Sequence, residues 1–197
     1  MLSTLYLIKN NFDTIPDGAF SDLGSLVWLE LNEAGIKTLS PSSFEGLYSL
    51  QHLNLDGNLI ETLPVSIFSG TFSLNYLYLH ENRIRSIPDG TFISLFLLFY
   101  LDLHQNRLEV ITDGTFDGLS FLFYLDLSHN NIEVISPGAF DGLFMLDQLD
   151  LRNNRIKILP EMVFRDLHAL FYLYLQDNQI DGIPEGALSE METLRTL

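Results

Sequence analysis

Histidine, aspartate and tyrosine are the side chains whose spacing in this chain could do chemistry. His80 and His104 stand 24 residues apart, and Asp102 precedes His104 by two. Two imidazoles and a carboxylate are a donor set that zinc accepts. Histidines on a regular surface are ordinarily solvated, however, and the sequence predicts no metal site and no cofactor. Catalytic patterns are missing too. There is no G-x-S-x-G and no glycine-rich phosphate loop, and His80-Glu81 lacks the second histidine of H-E-x-x-H. The chain has no cysteine, which removes thiolate ligands, thiol nucleophiles and disulfides together. No enzyme is expected.

The step of 24 that separates the two histidines runs through the whole chain. Leu98 to Leu108 reads L-x-x-L-x-L-x-x-N-x-L, and the pattern returns from Leu122 to Ile132. Asn10, Asn58, Asn82, Asn106, Asn130, Asn154 and Asn178 stand 24 apart, or 48 across one gap. Periods of this length mark a solenoid, in which each unit buries its apolar face against its neighbours. Residues 1–197 divide into eight units, beginning at Leu2, Leu26, Leu50, Leu74, Leu98, Leu122, Leu146 and Leu170, with a stub at Leu194.

Within a unit the apolar spacing changes. Leu101-Asp102-Leu103 alternates with period two and predicts a short strand with its leucines inward. Stacked units then form a parallel sheet with strands about 4.8 Å apart. The asparagine amide, donor and acceptor at once, is suited to close the turn that follows. Ile87-Pro88-Asp89-Gly90 breaks any long helix, so the outer side is expected to be extended, with short turns or 3₁₀ pieces. Phe20, Phe44, Phe68, Phe92, Phe116, Phe140 and Phe164, with Leu188 in the last slot, predict a buried aromatic spine. Two units depart from the pattern: Ala34 replaces a ladder asparagine, which predicts a looser or water-filled turn, and Thr71 replaces a leucine.

Net charge is −16, from 10 Lys+Arg against 26 Asp+Glu. Such a field repels phosphate backbones and anionic lipid surfaces, so nucleic acid and membrane insertion are not expected. The most apolar run, Leu95 to Leu101, is far shorter than the roughly 20 residues of a membrane span. The first residues already stand in repeat register and do not read as a signal peptide. Leucines open the chain and Leu194 and Leu197 close it without a polar capping unit, which suggests a segment of a longer protein.

Side chains that alternate outward from the strands form columns on the sheet face. One column reads Thr4, Trp28, His52, Tyr76, Tyr100, Tyr124, Gln148 and Tyr172; its neighbour reads Tyr6, Glu30, Asn54, Tyr78, Asp102, Asp126, Asp150 and Tyr174. Aromatics beside an acidic track suit a ligand-binding strip, with Trp28, His52, Tyr76, Tyr78, Tyr100, Asp102, Tyr124, Asp126, Tyr172 and Tyr174 as candidates. Three aspartates in adjacent units repel by roughly 0.8 kcal/mol per neighbour in water, which a cationic partner group would relieve. His52, His80, His104 and His129 are expected on the same face. A second feature lies just before the strands. Phe72, Phe96, Leu97, Phe99, Phe121, Phe123, Phe144, Met145 and Phe171 fill slots where polar residues would serve. They form either a partner or self-association flank or an annex to the core.

The L-x-x-L-x-L-x-x-N pattern, with phrases such as Ile15-Pro-Asp-Gly-Ala-Phe20 and Ile87-Pro-Asp-Gly-Thr-Phe92, resembles the 24-residue leucine-rich repeats of secreted and cell-surface animal proteins. The variable lymphocyte receptors of jawless vertebrates and Toll-like receptor ectodomains share this unit, as do Slit-type guidance proteins and small proteoglycans. The resemblance implies a fold that is α/β by convention but mostly β: a right-handed horseshoe arc with a parallel concave sheet. It implies a non-enzymatic module of innate-immune or adhesion type, extracellular or at the cell surface, binding a protein or glycan on that sheet. Family members of this kind usually carry cysteine-stapled caps, which this chain lacks. The alternative is an intracellular leucine-rich repeat scaffold for protein assembly, although such scaffolds more often resemble a 23-residue unit without the phenylalanine.

Overall fold

The computed structural model describes residues 2–188, 191 and 193–196. Its strands in chain order are β1 (Thr4–Tyr6), β2 (Thr14–Ile15), β3 (Trp28–Glu30), β4 (Thr38–Leu39), β5 (His52–Asn54) and β6 (Tyr76–Tyr78), followed by β7 (Tyr100–Asp102), β8 (Val110–Ile111), β9 (Tyr124–Asp126), β10 (Val134–Ile135), β11 (Gln148–Asp150) and β12 (Tyr172–Tyr174). The eight three-residue strands pair in the order β1-β3-β5-β6-β7-β9-β11-β12. Every pairing is parallel and shifted by one repeat, as in Tyr100↔Tyr124 and Leu101↔Leu125. Each strand falls one residue earlier than the L-x-L pattern suggests, and Leu103 N–H still extends the ladder by donating to Asp126 C=O at 2.9 Å.

The central residue of each inner strand, Leu29 through Leu173, points inward and is fully buried. Behind it the predicted spine is present. Phe20, Phe44, Phe68, Phe92, Phe116, Phe140 and Phe164 stack nearly parallel, with ring centroids 5.9–6.4 Å apart. That spacing exceeds the ~4.8 Å between paired strands. Units that lie farther apart at the spine than at the sheet must curve, with the sheet on the inside. The outer side carries turns and two small two-stranded sheets, β2-β4 and β8-β10. Among the described residues it has neither α-helix nor 3₁₀-helix, so the 3₁₀ pieces expected there are simple turns. These turns close locally, as where Leu95 N–H donates to Phe92 C=O at 2.8 Å.

The asparagine ladder closes the inner turns. Asn82 Nδ2 donates to Leu55 C=O at 2.9 Å and Leu79 C=O at 3.1 Å, while its Oδ1 accepts from Ile60 N–H at 3.1 Å. Ala34 does not loosen its turn. Its own C=O accepts from Phe12 N–H at 2.9 Å, the bond an asparagine there would have taken. Asn58, one unit on, accepts from both Ala34 N–H and Ile36 N–H and donates to Leu31 C=O. The expected gap is filled by backbone and by the neighbouring amide. Thr71 is likewise satisfied, its buried hydroxyl donating to Phe68 C=O at 3.1 Å. Leu197, expected to close the array, lies outside the described residues.

Candidate functional site

Strand alternation turns the two outward columns to the concave face, and the units bring like positions into contact. Trp28 stacks on His52 with centroids 3.8 Å apart, and His52 stacks on Tyr76 at 4.2 Å. Tyr100 lies flat on Tyr124 at 4.5 Å, and Tyr78 leans on Tyr100 at 5.3 Å. At the far end Tyr172 stacks on Tyr174 at 6.2 Å, and the Arg152 guanidinium lies 4.9 Å over the Tyr174 ring. The rings are half-buried by one another and keep an edge in solvent. Burial, with Asp102 next in weight, raises the Tyr100 phenol to about 12. Burial and the Asp126 carboxylate push Tyr124 up as well. His52 moves the other way: burial between two rings lowers its pKa, against a smaller raising effect from Glu30.

The acidic column is not the open track that the sequence suggests. Asp102, Asp126 and Asp150 are 6%, 9% and 0% exposed. Each accepts the backbone N–H two residues on, from His104, Ser128 and Arg152, and so caps the turn that ends its strand. The remaining demand is met within the chain. Tyr124 Oη donates to Asp126 at 3.2 Å, and Arg152 Nε reaches both oxygens of Asp150 at 3.0 and 2.9 Å. The like-charge cost is therefore largely relieved without a ligand.

Asp102 is partnered by histidines. His104 Nδ1 lies 2.7 Å from Oδ1, and His80 Nδ1 lies 3.4 Å from Oδ2. The two imidazoles stack at 4.6 Å, and His80 Nε2 meets Asp56 at 3.1 Å. Asp56 was not among the sequence candidates; the signal was its position 24 residues before His80, in the same column. His129 stands apart, exposed in the turn after β9 at φ 55°, the slot of Glu81 and Gln105.

The apolar flank is exposed rather than folded into the core. Phe72, Phe96, Leu97, Phe99, Phe121, Phe123, Phe144 and Met145 all stand at the surface, and only Phe171 is partly buried, against Tyr172. Phe99 stacks on Phe123 at 4.8 Å and meets the Tyr76 edge at 6.2 Å, so flank and concave column form one aromatic surface. An open groove of about 340 Å³ lies at the junction, lined by Asn75, Tyr76, Leu97, Phe99 and Phe121.

The Leucine rich repeat family profile matches residues 1–60, 49–108, 98–156 and 145–197, together the whole chain. The chain belongs to the leucine-rich repeat family. No curated protein sequence matches it. Among solved structures, this leucine-rich repeat chain is similar to TLR13 in its complex with ssRNA13, at 31% identity and a TM-score of 0.93, over 98% of this chain and 28% of that one. It is similar to Toll in the Drosophila Toll–Spatzle complex, at 27% identity and a TM-score of 0.91, over 98% of this chain and 27% of that one. A leucine-rich repeat protein of Leptospira interrogans matches at 26% identity and a TM-score of 0.82, over 95% of this chain and 46% of its own. The chain thus spans less than half of each of these proteins. The resemblance to Toll-like receptor ectodomains holds, and the scaffold is a non-enzymatic recognition fold. Among the described residues, no helix is long and apolar enough to cross a membrane.

Proposed function

We propose that this chain is the ligand-recognition segment of an extracellular or cell-surface receptor of innate-immune or adhesion type, and that its ligand is a protein. The observation that carries this reading is the continuous aromatic surface from Trp28 through Tyr76 to Phe99 and Phe123, with the groove at its centre. Rigid, half-buried aromatic side chains around a shallow apolar groove are the usual anchors of protein interfaces, because they lose little conformational entropy on binding. Tyr100 stands beside Tyr76 with ring centroids 6.3 Å apart and stacks on Tyr124, while Asp102 and Asp126 support the strip from beneath by capping turns.

TLR13 and Toll, on the same scaffold, are seen with an RNA and with Spatzle respectively. The net charge of −16 favours the protein over the nucleic acid as ligand class here. A glycan would meet few free polar groups in the groove. The test is capture from panels of secreted proteins, glycans and single-stranded RNA by the wild-type chain and by Tyr76→Ala/Phe99→Ala. Protein capture that disappears in the variant supports the reading. Capture of RNA or glycan alone, or protein capture unchanged by the substitutions, overturns it.

A further inference from the structure

We propose that His80, Asp102 and His104 form a binding site for a zinc-class divalent metal ion on the concave face. This inference is independent of the protein-recognition reading. Among the described residues this is the one place where three His, Asp or Glu side chains each bring a ligand atom within 4.8 Å of the others. The arrangement follows from the fold. Asp102 and His104 are two apart along one strand direction, and His80 occupies the position of His104 in the preceding unit, so all three project from one face of the sheet.

Three observations point to a ligand. First, both Nδ1 atoms face the same carboxylate, His104 at 2.7 Å and His80 at 3.4 Å. Zinc bonds of about 2.0–2.2 Å at tetrahedral angles set donor atoms roughly 3.3 Å apart, so His80 already stands at that separation from Asp102, and the shorter His104 hydrogen bond would open by about half an ångström to admit the ion. The parallel stacking of the rings requires one imidazole to turn about its Cβ–Cγ bond to face the ion, and both rings keep a solvent edge that permits this. Second, His80 Nδ1 is buried and makes no hydrogen bond, a cost that a bound cation would remove. Third, the opposite nitrogen of His80 meets the Asp56 carboxylate at 3.1 Å. A carboxylate behind a ligating histidine fixes its tautomer and raises its basicity, which is the usual support of a metal-bound imidazole.

Neighbouring units show what the same positions do without such a site. Asp126 and Asp150 stand in the Asp102 column, but the Tyr124 hydroxyl and the Arg152 guanidinium complete their hydrogen bonding where Asp102 meets two imidazoles. Two imidazoles select against calcium and magnesium, which prefer oxygen, and toward zinc and similar first-row ions. Three protein donors leave a coordination position open to water or to a donor group from outside.

The test uses the untagged, chelator-treated chain titrated with zinc chloride by calorimetry, and with cobalt(II) followed by visible absorption. One ion per chain is expected, with cobalt bands of a low-coordinate site. His80→Gln and His104→Gln should each weaken binding at least tenfold, Asp56→Asn should weaken it measurably, and His52→Gln should leave it unchanged. Thermal melts without metal establish that each variant is folded, and added zinc should raise the melting temperature of the wild type but not of His80→Gln/His104→Gln. No saturable binding, or affinity unchanged by the two histidine substitutions, overturns the proposal.

Discussion

Asn58 Oδ1 accepts a hydrogen bond from Ala34 N–H at 3.0 Å, and the same oxygen accepts from Ile36 N–H at 3.0 Å. One side chain thereby closes the turn of a unit that has lost its own amide. Asn58→Ala strands two buried N–H groups and the Leu31 carbonyl, while the Leu55 carbonyl keeps its bond from Asn82. At roughly 1–3 kcal/mol for a buried group left unpaired, the loss should be at least about 3 kcal/mol. Asn10→Ala, at an exposed ladder position, should cost about 1 kcal/mol or less. Urea denaturation of the two variants compares them directly, and equal losses would show that Asn58 carries no double role.

Gly118 shows how tightly consecutive units approach on the outer side. Its φ is +91°, and a Cβ placed there would lie 2.6 Å from the carbonyl oxygen of Ile93, one unit earlier. Both the backbone conformation and the contact oppose any side chain. Gly118→Ala should therefore destabilise the array by about 1–3 kcal/mol or more. Gly142→Ala, with positive φ but open space around it, should cost less. Thermal melts of the pair separate backbone strain from the clash.

The spine and the flank, both phenylalanine-rich, should respond oppositely to truncation. Phe116 is 1% exposed and Phe121 is 56% exposed. Phe116→Ala should cost about 3–5 kcal/mol, as for other buried aromatic truncations. Phe121→Ser should stay within about 0.5 kcal/mol of the parent. If the flank is a self-association surface, Phe121→Ser also lowers the concentration-dependent mass seen by sedimentation equilibrium; an unchanged mass would assign the flank to a different partner.

The stacked tyrosines predict loss of stability in alkali. Tyr100, raised to about 12, and Tyr124, raised likewise, stay protonated in the folded state where free phenols ionise near 10. The unfolded chain therefore releases protons that the folded chain holds. Their contribution is full below pH 10 and declines as pH rises from about 10 through 12. His52, lowered by burial, acts at the other end: its contribution is present above its unfolded pKa of about 6.5 and lost as pH falls through the lower folded value. Recorded together across the alkaline range, phenolate absorbance should rise as melting temperature falls, and Tyr100→Phe/Tyr124→Phe should flatten the alkaline limb.

The replacement of the acidic strip by capped turns has a measurable consequence as well. Asp126→Ala removes the acceptor of Ser128 N–H and of the Tyr124 hydroxyl, and should cost about 1–2 kcal/mol. An effect near zero would return Asp126 to the role of a free, ligand-facing carboxylate.

The sequence by itself determined the architecture of this chain, because the constraint is local and repeated. A leucine every second residue, an asparagine and a phenylalanine every 24 leave one way for each unit to bury its apolar face, against the next unit in register. The strands, the spine and the two concave columns were all legible from that periodicity. Tertiary structure decided what those columns are free to do. Whether Asp102 or Asp126 faces a ligand or caps a turn depends on where the backbone N–H two residues on is placed, and pattern does not encode that direction. Compensation at Ala34 was invisible for the same reason, since it comes from the backbone and from an amide 24 residues away. Asp56, His80, Asp102 and His104 belong to three different units, and only the stacking of those units brings their imidazoles and carboxylates together.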